Sequence, residues 1–197
     1  LQDTSTNAYA QIFTNDAGSM RLRADAGNSQ GSSDFILEID GTTQLSVDSS
    51  GRMLKPNQPN FEAYMGSAQT FNGNADIQFN TVSHQVGSNY NTSNYRFTAP
   101  VAGRYLFYIH TYTSVSSGAI RALHLKWMKN GSEHRDLTDG GYSPDGGYSY
   151  HPAINATIVM PLSANDYVYV RLAGGGYSAN NVRFDATKSY WGGYLLG

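Results

Sequence analysis

Tyr105-Leu106-Phe107-Tyr108-Ile109-His110-Thr111-Tyr112 is the stretch on which the fold turns. Successive side chains of an extended strand point to opposite faces, so Tyr105, Phe107 and Ile109 share one face and Leu106, Tyr108 and Tyr112 the other. Large apolar and aromatic residues on both faces predict a strand covered on both sides. Such a strand is either central in a two-layer sandwich with something packed outside it, or it lines a subunit interface. Interfaces are enriched in Tyr and Phe, so Leu106, Tyr108 and Tyr112 are read as a contact between copies of the chain.

Period two recurs on either side of the next turns. In Tyr167-Val168-Tyr169-Val170-Arg171-Leu172 the valines and the leucine share one face, and Ile154, Ala156, Ile158 and Met160 repeat the pattern. The best helix candidate is Ala119 to Asn130, with Ile120, Leu123 and Trp127 at helical spacing. The strand reading is better. Leu123, Leu125 and Trp127 alternate with His124, Lys126 and Met128, and the run ends at Lys129-Asn130-Gly131, whose Asn-Gly pair suits a tight hairpin turn. Composition agrees: 21 Gly, 21 Ser, 14 Thr and 16 Asn make up 72 of 197 residues, alongside 15 Tyr but only 3 Glu and 4 Lys. Helical domains clothe their exposed faces with Glu and Lys, whereas β-branched and aromatic residues favour strands, so an all-β protein is expected.

The charge balance and residue usage exclude several classes. Thirteen Lys+Arg against 15 Asp+Glu leave a net charge of -2, with no basic excess for a phosphate backbone, so no nucleic-acid partner is expected. The absence of cysteine removes disulfides, thiolate metal sites and cysteine nucleophiles. No stretch approaches the ~18 consecutive apolar residues of a membrane span, and Leu1-Gln2-Asp3-Thr4-Ser5 has neither a basic nor an apolar leader segment. No membrane insertion is expected. A start at Leu1 in place of Met reads as the end of something longer.

Residues 1–54 differ from the rest. Short strands at Ala8 to Thr14, Met20 to Ala24, Phe35 to Ile39 and Gln44 to Val47 alternate with Asn/Asp/Gly/Ser turns. Leu22, Phe35, Ile36, Leu37, Ile39, Leu45 and Val47 are almost all the bulky apolar residues between positions 14 and 52, too few to offset the entropy of ordering the chain. Intertwining with identical copies would supply the missing core, so the segment is read as an oligomeric β stalk. Lys55-Pro56-Asn57-Gln58-Pro59-Asn60 reads as a stiff linker and a domain boundary.

From Phe61 to the end, a spaced aromatic pattern stands out. Phe79, Tyr90, Phe97, Gly103, Tyr105 and Phe107 fall on one register, supported by Phe97-Thr98-Ala99-Pro100, by Lys129-Asn130-Gly131, by the Leu162 to Val170 turn and strand, and by Gly193-Tyr194-Leu195-Leu196. In this register the chain resembles the C1q-like domains, the jelly-roll heads shared with tumour-necrosis-factor-type trimers. Gln85 stands where that family usually has Asn or Asp, and Ile109 where it has an aromatic. The resemblance implies a C-terminal jelly-roll sandwich over 61–197 and a homotrimer. The Asp48-Ser49-Ser50-Gly51-Arg52-Met53-Leu54 hairpin, with the prolines and Phe61 after it, is similar to the ends of bacteriophage tail-fibre proteins. Together these imply a trimeric fibre tip: virion-borne, extracellular, and a non-enzymatic receptor-binding head for a host cell-surface glycan or protein.

Topology then names a surface. In an up-and-down reading of the last five strands, the long connections Tyr112 to Arg121, Thr138 to Pro152 and Ala173 to Thr187 share one end. The short ones, Lys129 to Gly131 and Pro161 to Asn165, share the other, where the first strand of the head would enter. Asp139-Gly140-Gly141-Tyr142-Ser143 is repeated at Asp145-Gly146-Gly147-Tyr148-Ser149, and Gly175-Gly176-Tyr177-Ser178 recurs nearby. Tyr with Gly, Ser and Asn is the composition of adaptable binding loops. The candidate receptor-binding residues are therefore Tyr142, Tyr148, Tyr150, His151, Tyr177, Asn180 and Asn181.

Catalytic and metal chemistry find little support. His84, His110, His124, His134 and His151 have no short ligand spacing. Asp136, Asp139 and Asp145 in a Gly-rich loop are weak candidates for Ca2+, which some C1q-like heads bind, but they lack the EF-hand spacing and its terminal Glu. No nucleophile elbow, phosphate loop or His-Glu-x-x-His occurs, so no cofactor is expected. Two alternatives stand beside the receptor reading: a structural or binding module of a bacterium or virion, and a fibre-borne polysaccharide depolymerase.

Overall fold

The described part of the computed structural model comprises residues 8–14, 18–115, 123–139, 153–173 and 182–197. It is all β, with no helix among the described residues. The chain divides into two compact units, Leu1–Asn57 and Gln58–Gly197.

The first unit holds β1 (Gln11–Thr14), β2 (Met20–Arg23), β3 (Phe35–Ile39), β4 (Thr42–Val47) and β5 (Met53–Leu54). β1 pairs only with β2, and β3, β4 and β5 form a meander. The turns follow local chemistry. Asp40 and Gly41 both have positive φ, 51° and 71°, and join Ile39 to Thr42 as the mirror-image turn that matches strand twist. Asp48 accepts backbone hydrogen bonds from Ser50 (2.9 Å) and Arg52 (3.0 Å), closing the β4–β5 hairpin around Gly51. Among the described residues of this unit none is buried. Ile12, Met20, Ile36, Leu37, Ile39, Met53 and Leu54 are each at least 47% exposed, so its apolar side chains find no core within one chain.

The second unit is a two-layer sandwich with a jelly-roll topology. Its strands are β6 (Asn60–Tyr64), β7 (Gln69–Phe71), β8 (Ala75–Asp76), β9 (Thr81–Val86), β10 (Tyr90–Asn91), β11 (Arg96–Thr98), β12 (Gly103–His110) and β13 (Thr113–Val115). They continue with β14 (Leu123–Lys129), β15 (Ser132–Asp139), β16 (Asn155–Leu162), β17 (Tyr167–Leu172), β18 (Val182–Phe184) and β19 (Tyr190–Leu195). One sheet runs β16-β12-β19-β6-β9 and the other β10-β11-β17-β14-β15, with β8 also on β17; β13-β18-β7 form a small third sheet. The helix candidate over residues 119–130 is a strand from Leu123, as its alternation predicts.

The core is aromatic. The Phe61 ring stacks on Tyr90 and on Phe97, both at 4.9 Å, and meets Trp191 edge-on at 4.8 Å. Phe107 lies 6.0 Å from Trp191 and 6.1 Å from Trp127, which bridges the two sheets. All the aromatic positions of the family register, Phe79, Tyr90, Phe97, Tyr105 and Phe107, are buried here. The departures are accommodated: Gln85 accepts a hydrogen bond from the Tyr90 amide (3.1 Å), and Ile109 is buried opposite Trp191.

One expectation changes. The last strands do not form an up-and-down meander, because only β14 and β15 are both consecutive and paired; the other connections cross from one sheet to the other. A jelly roll buries the inner face of both sheets, and it does so by alternating the chain between them. Within a single chain the strand β12 closes one face. Tyr105, Phe107 and Ile109 are buried, whereas Leu106, Tyr108 and His110 are half-buried, because no further layer of the same chain covers them.

Candidate functional site

The antiparallel pairings sort the ends of the sandwich. β16 and β19 both run antiparallel to β12, and β15 and β17 both run antiparallel to β14. The strand ends that flank residues 116–122, 140–152 and 174–181 therefore lie at one end. At the other, the β14–β15 turn has positive φ at Asn130 and Gly131, 51° and 83°. Asp166 gathers three donors there, Asn130 Nδ2 (2.7 Å), the Ser163 amide (2.8 Å) and Lys129 Nζ (2.9 Å). The Asn130 bond, then the Ser163 amide and Lys129, hold its carboxyl at about 2, below the usual carboxylate range. The chain enters the head at this same end: β6 pairs antiparallel with β19, and the Leu195 amide donates to Pro59 O (3.0 Å).

The opposite end is braced by buried hydroxyls. Thr111, Thr113 and Ser189 are fully buried. The Thr111 amide donates to Ile154 O (2.9 Å), and the Ile154 amide returns a bond to Thr111 Oγ1 (3.1 Å). The Tyr112 amide donates to Ser189 Oγ (3.1 Å), and the Asp185 amide to Tyr112 O (3.1 Å). His110 bonds Asn155 through Nδ1 and stacks on Tyr190 at 5.2 Å. A buried polar group must find a partner or carry a penalty of about 1–3 kcal/mol, so these side chains fix the stems against one another. Their role has no sequence signature, since Thr and Ser at such positions read as ordinary strand and turn residues.

The receptor-binding candidates Tyr142, Tyr148, Tyr150, His151, Tyr177, Asn180 and Asn181 lie outside the described residues, as does Asp145. Asp136 pairs across the hairpin with Lys126 and lies 4.0 Å from His124 Nδ1. Among the described residues no group of three His, Asp or Glu side chains comes together as a metal site. Of the interface candidates, Leu106 and Tyr108 present the half-buried face of β12, and the Tyr112 ring carries Lys188 Nζ at 4.5 Å.

A groove escapes the sequence reading altogether. β11 and β8 share one edge of β17, Phe97 opposite Val168 and Asp76 opposite Arg171, and the outer face between them opens into a cavity of about 600 Å3. Asn74, Gln78, Asn94, Tyr95 and Arg96 line it, with the Asp76–Arg171 ion pair (2.6 Å) as one wall. Tyr169 lies on the face of β17 opposite Val168, Val170 and Leu172, and the guanidinium groups of Arg96 (4.9 Å) and Arg171 (5.4 Å) over its ring leave it 2% exposed. Burial, more than the nearby Asp76, pushes its phenol pKa up.

The architecture has known counterparts at low sequence identity. The globular domain of zebrafish complement 1qA matches with a TM-score of 0.54 at 16% identity, over 71% of this chain and 98% of that one. The Eiger TNF of S. frugiperda matches with a TM-score of 0.55 at 14% identity, covering 71% and 92%. Murine APRIL matches at 0.50 and 9%, covering 71% and 99%. At such identities the likeness speaks for the fold alone. The family comparison goes further: the model of the C1q domain matches residues 60–196, which include every aromatic position of the register and both sheets of the sandwich, and the chain belongs to the C1q domain family.

Proposed function

We propose that the protein is the homotrimeric receptor-binding tip of a phage tail fibre, contacting a host cell-surface glycan or protein through its distal loops. The observation that carries this reading is the polarity of the head. Chain entry and the short turns occupy one end, and the stems of the three long Gly/Tyr/Ser-rich connections occupy the other. The stems that flank residues 140–152 and 174–181 thus lie at the end of the head opposite the chain's entry.

Two further features support it. C1q/TNF homologues form trimers and are typically non-enzymatic binding modules. The first unit offers exposed Phe35, Ile36, Leu37 and Ile39 with no buried residue among those described, which suits a segment completed by two other copies. The half-buried face of β12, with Leu106 and Tyr108, supplies the matching surface in the head.

The test combines solution mass with adsorption. Light scattering is expected to give the mass of three chains. Changing Tyr142, Tyr148 and Tyr177 together to Ala is expected to leave that mass unchanged and abolish binding to host cells. A monomer, or host binding that survives the triple change, overturns the reading.

A further inference from the structure

We propose that the groove between β8 and the β10–β11 turn is a second binding site, for a carboxylate-bearing saccharide such as a uronic or sialic acid residue in a chain. The proposal concerns the flank of the head and stands independently of the distal loops.

Charge comes first. Two guanidinium groups and one carboxylate line the groove. Arg171 is satisfied by Asp76 at 2.6 Å, whereas Arg96 forms no ion pair among the described residues. Arg96 also donates no side-chain hydrogen bond there, and its Nε is buried without a partner. Its position is nevertheless fixed, because the guanidinium lies 4.5 Å over the Tyr167 ring and 4.9 Å over Tyr169. A cation held in place before a ligand arrives loses little freedom on binding, and its planar Nη edge matches the two oxygens of one carboxylate.

The remaining lining selects the rest of the ligand. The side-chain amides of Asn74, Gln78 and Asn94 both donate and accept, as hydroxyl-rich molecules require, and Phe71 and Tyr95 add aromatic surface. Tyr95 has φ +60°, a left-handed conformation in which Gly or Asn is the usual choice. Bonds from the Tyr95 amide to Asn91 O (2.8 Å) and from the Ser93 amide to Asn91 Oδ1 (2.8 Å) hold the turn in that shape. A large aromatic kept at a strained position on the rim of a cavity points to a contact role for the ring. The volume, about 600 Å3, lies within the range of small-ligand sites. One unpaired cation in the groove, on a chain of net charge -2, favours one carboxylate among hydroxyls over a polyphosphate.

Calorimetry on the full chain with trigalacturonic acid, a disialic acid and neutral maltotriose tests this. One of the acidic probes is expected to saturate one site per chain, about tenfold or more tighter than maltotriose, and to weaken as salt is raised. Arg96→Gln is expected to weaken the acidic probe about tenfold, and Arg96→Lys to recover only part of the loss. Tyr95→Gly relieves the strained φ, so it is expected to fold at least as stably while binding more weakly. The triple alanine change in the distal loops is expected to leave this affinity intact, which separates the two sites. Binding of neither acidic probe, equal binding of maltotriose, or an unchanged affinity in both Arg96→Gln and Tyr95→Gly overturns the proposal.

Discussion

Tyr108 reaches across an entire strand to Glu62, its hydroxyl donating to Oε2 at 2.9 Å over the backbone of Gly192. The three residues are in register on β12, β19 and β6, and only a residue without a side chain lets the phenol pass. A Cβ at Gly192 would sit 2.5 Å from the Tyr108 hydroxyl and 2.6 Å from Phe61 O, and the second of these is backbone that cannot swing aside. Burial, and next the Glu62 carboxylate that accepts its proton bond, push the Tyr108 phenol pKa well above its usual value. Gly192→Ala is therefore expected to destabilise the head by about 1–3 kcal/mol. Tyr108→Phe is expected to cost about 1–2 kcal/mol, the loss of one partly buried bond. Denaturant melts of the two single variants and the double would show non-additive losses, because both act on the same contact.

Phe61 is the point at which the core rings converge, touching Tyr90, Phe97, Phe107 and Trp191. Phe61→Ala is expected to lower stability by about 3–5 kcal/mol, with the intrinsic fluorescence of Trp191 shifting to the red before global unfolding. Phe61→Leu, which keeps most of the volume, is expected to recover about half.

Asp166 makes the short-turn end sensitive to acid. Its folded pKa of about 2 lies below the usual carboxylate range, so it contributes stability that is complete above the unfolded value and fades as pH falls through the folded one. Asp166→Ala should melt below the parent at pH 5 and above. The gap between them should narrow as pH is lowered from about 4 to about 2. A gap that stays constant across that window would assign the loss to packing.

Removal of residues 1–54 is expected to leave a head that melts cooperatively with an intact near-ultraviolet signal, because its aromatic core is complete without them. The proposed trimer is expected to dissociate at higher concentration than in the full chain. Sedimentation across a dilution series reads both results, and unfolded monomer would place the boundary elsewhere.

Much of the head was legible because the signals are local. The alternation in Tyr105 to Ile109 names the residues that end up buried, and Asn130-Gly131 names the hairpin turn by its need for positive φ. The spaced aromatics locate the core because Tyr90, Phe97, Tyr105 and Phe107 fall on inward positions of their strands and Phe79 is buried between β8 and β9. What remained hidden depends on pairings between distant segments. Asp76 and Arg171 are 95 positions apart, and nothing in either neighbourhood announces the other. Tyr169 looks like an outward residue by period, but Arg96, arriving from β11, and Arg171 lie over its ring and bury it. The sandwich crossings were misread for a similar reason, since alternation reveals a strand's inner face but not which sheet it joins.

The buried Thr111, Thr113 and Ser189 have a consequence for how this head can evolve. Because the stem amides of Tyr112 and Ile154 are satisfied from within the scaffold, the fold does not rely on the intervening loop residues to close those bonds. Substitutions in the connections that these stems flank would therefore leave those two bonds in place, and with them the local anchoring of Tyr112 and Ile154 to the jelly roll.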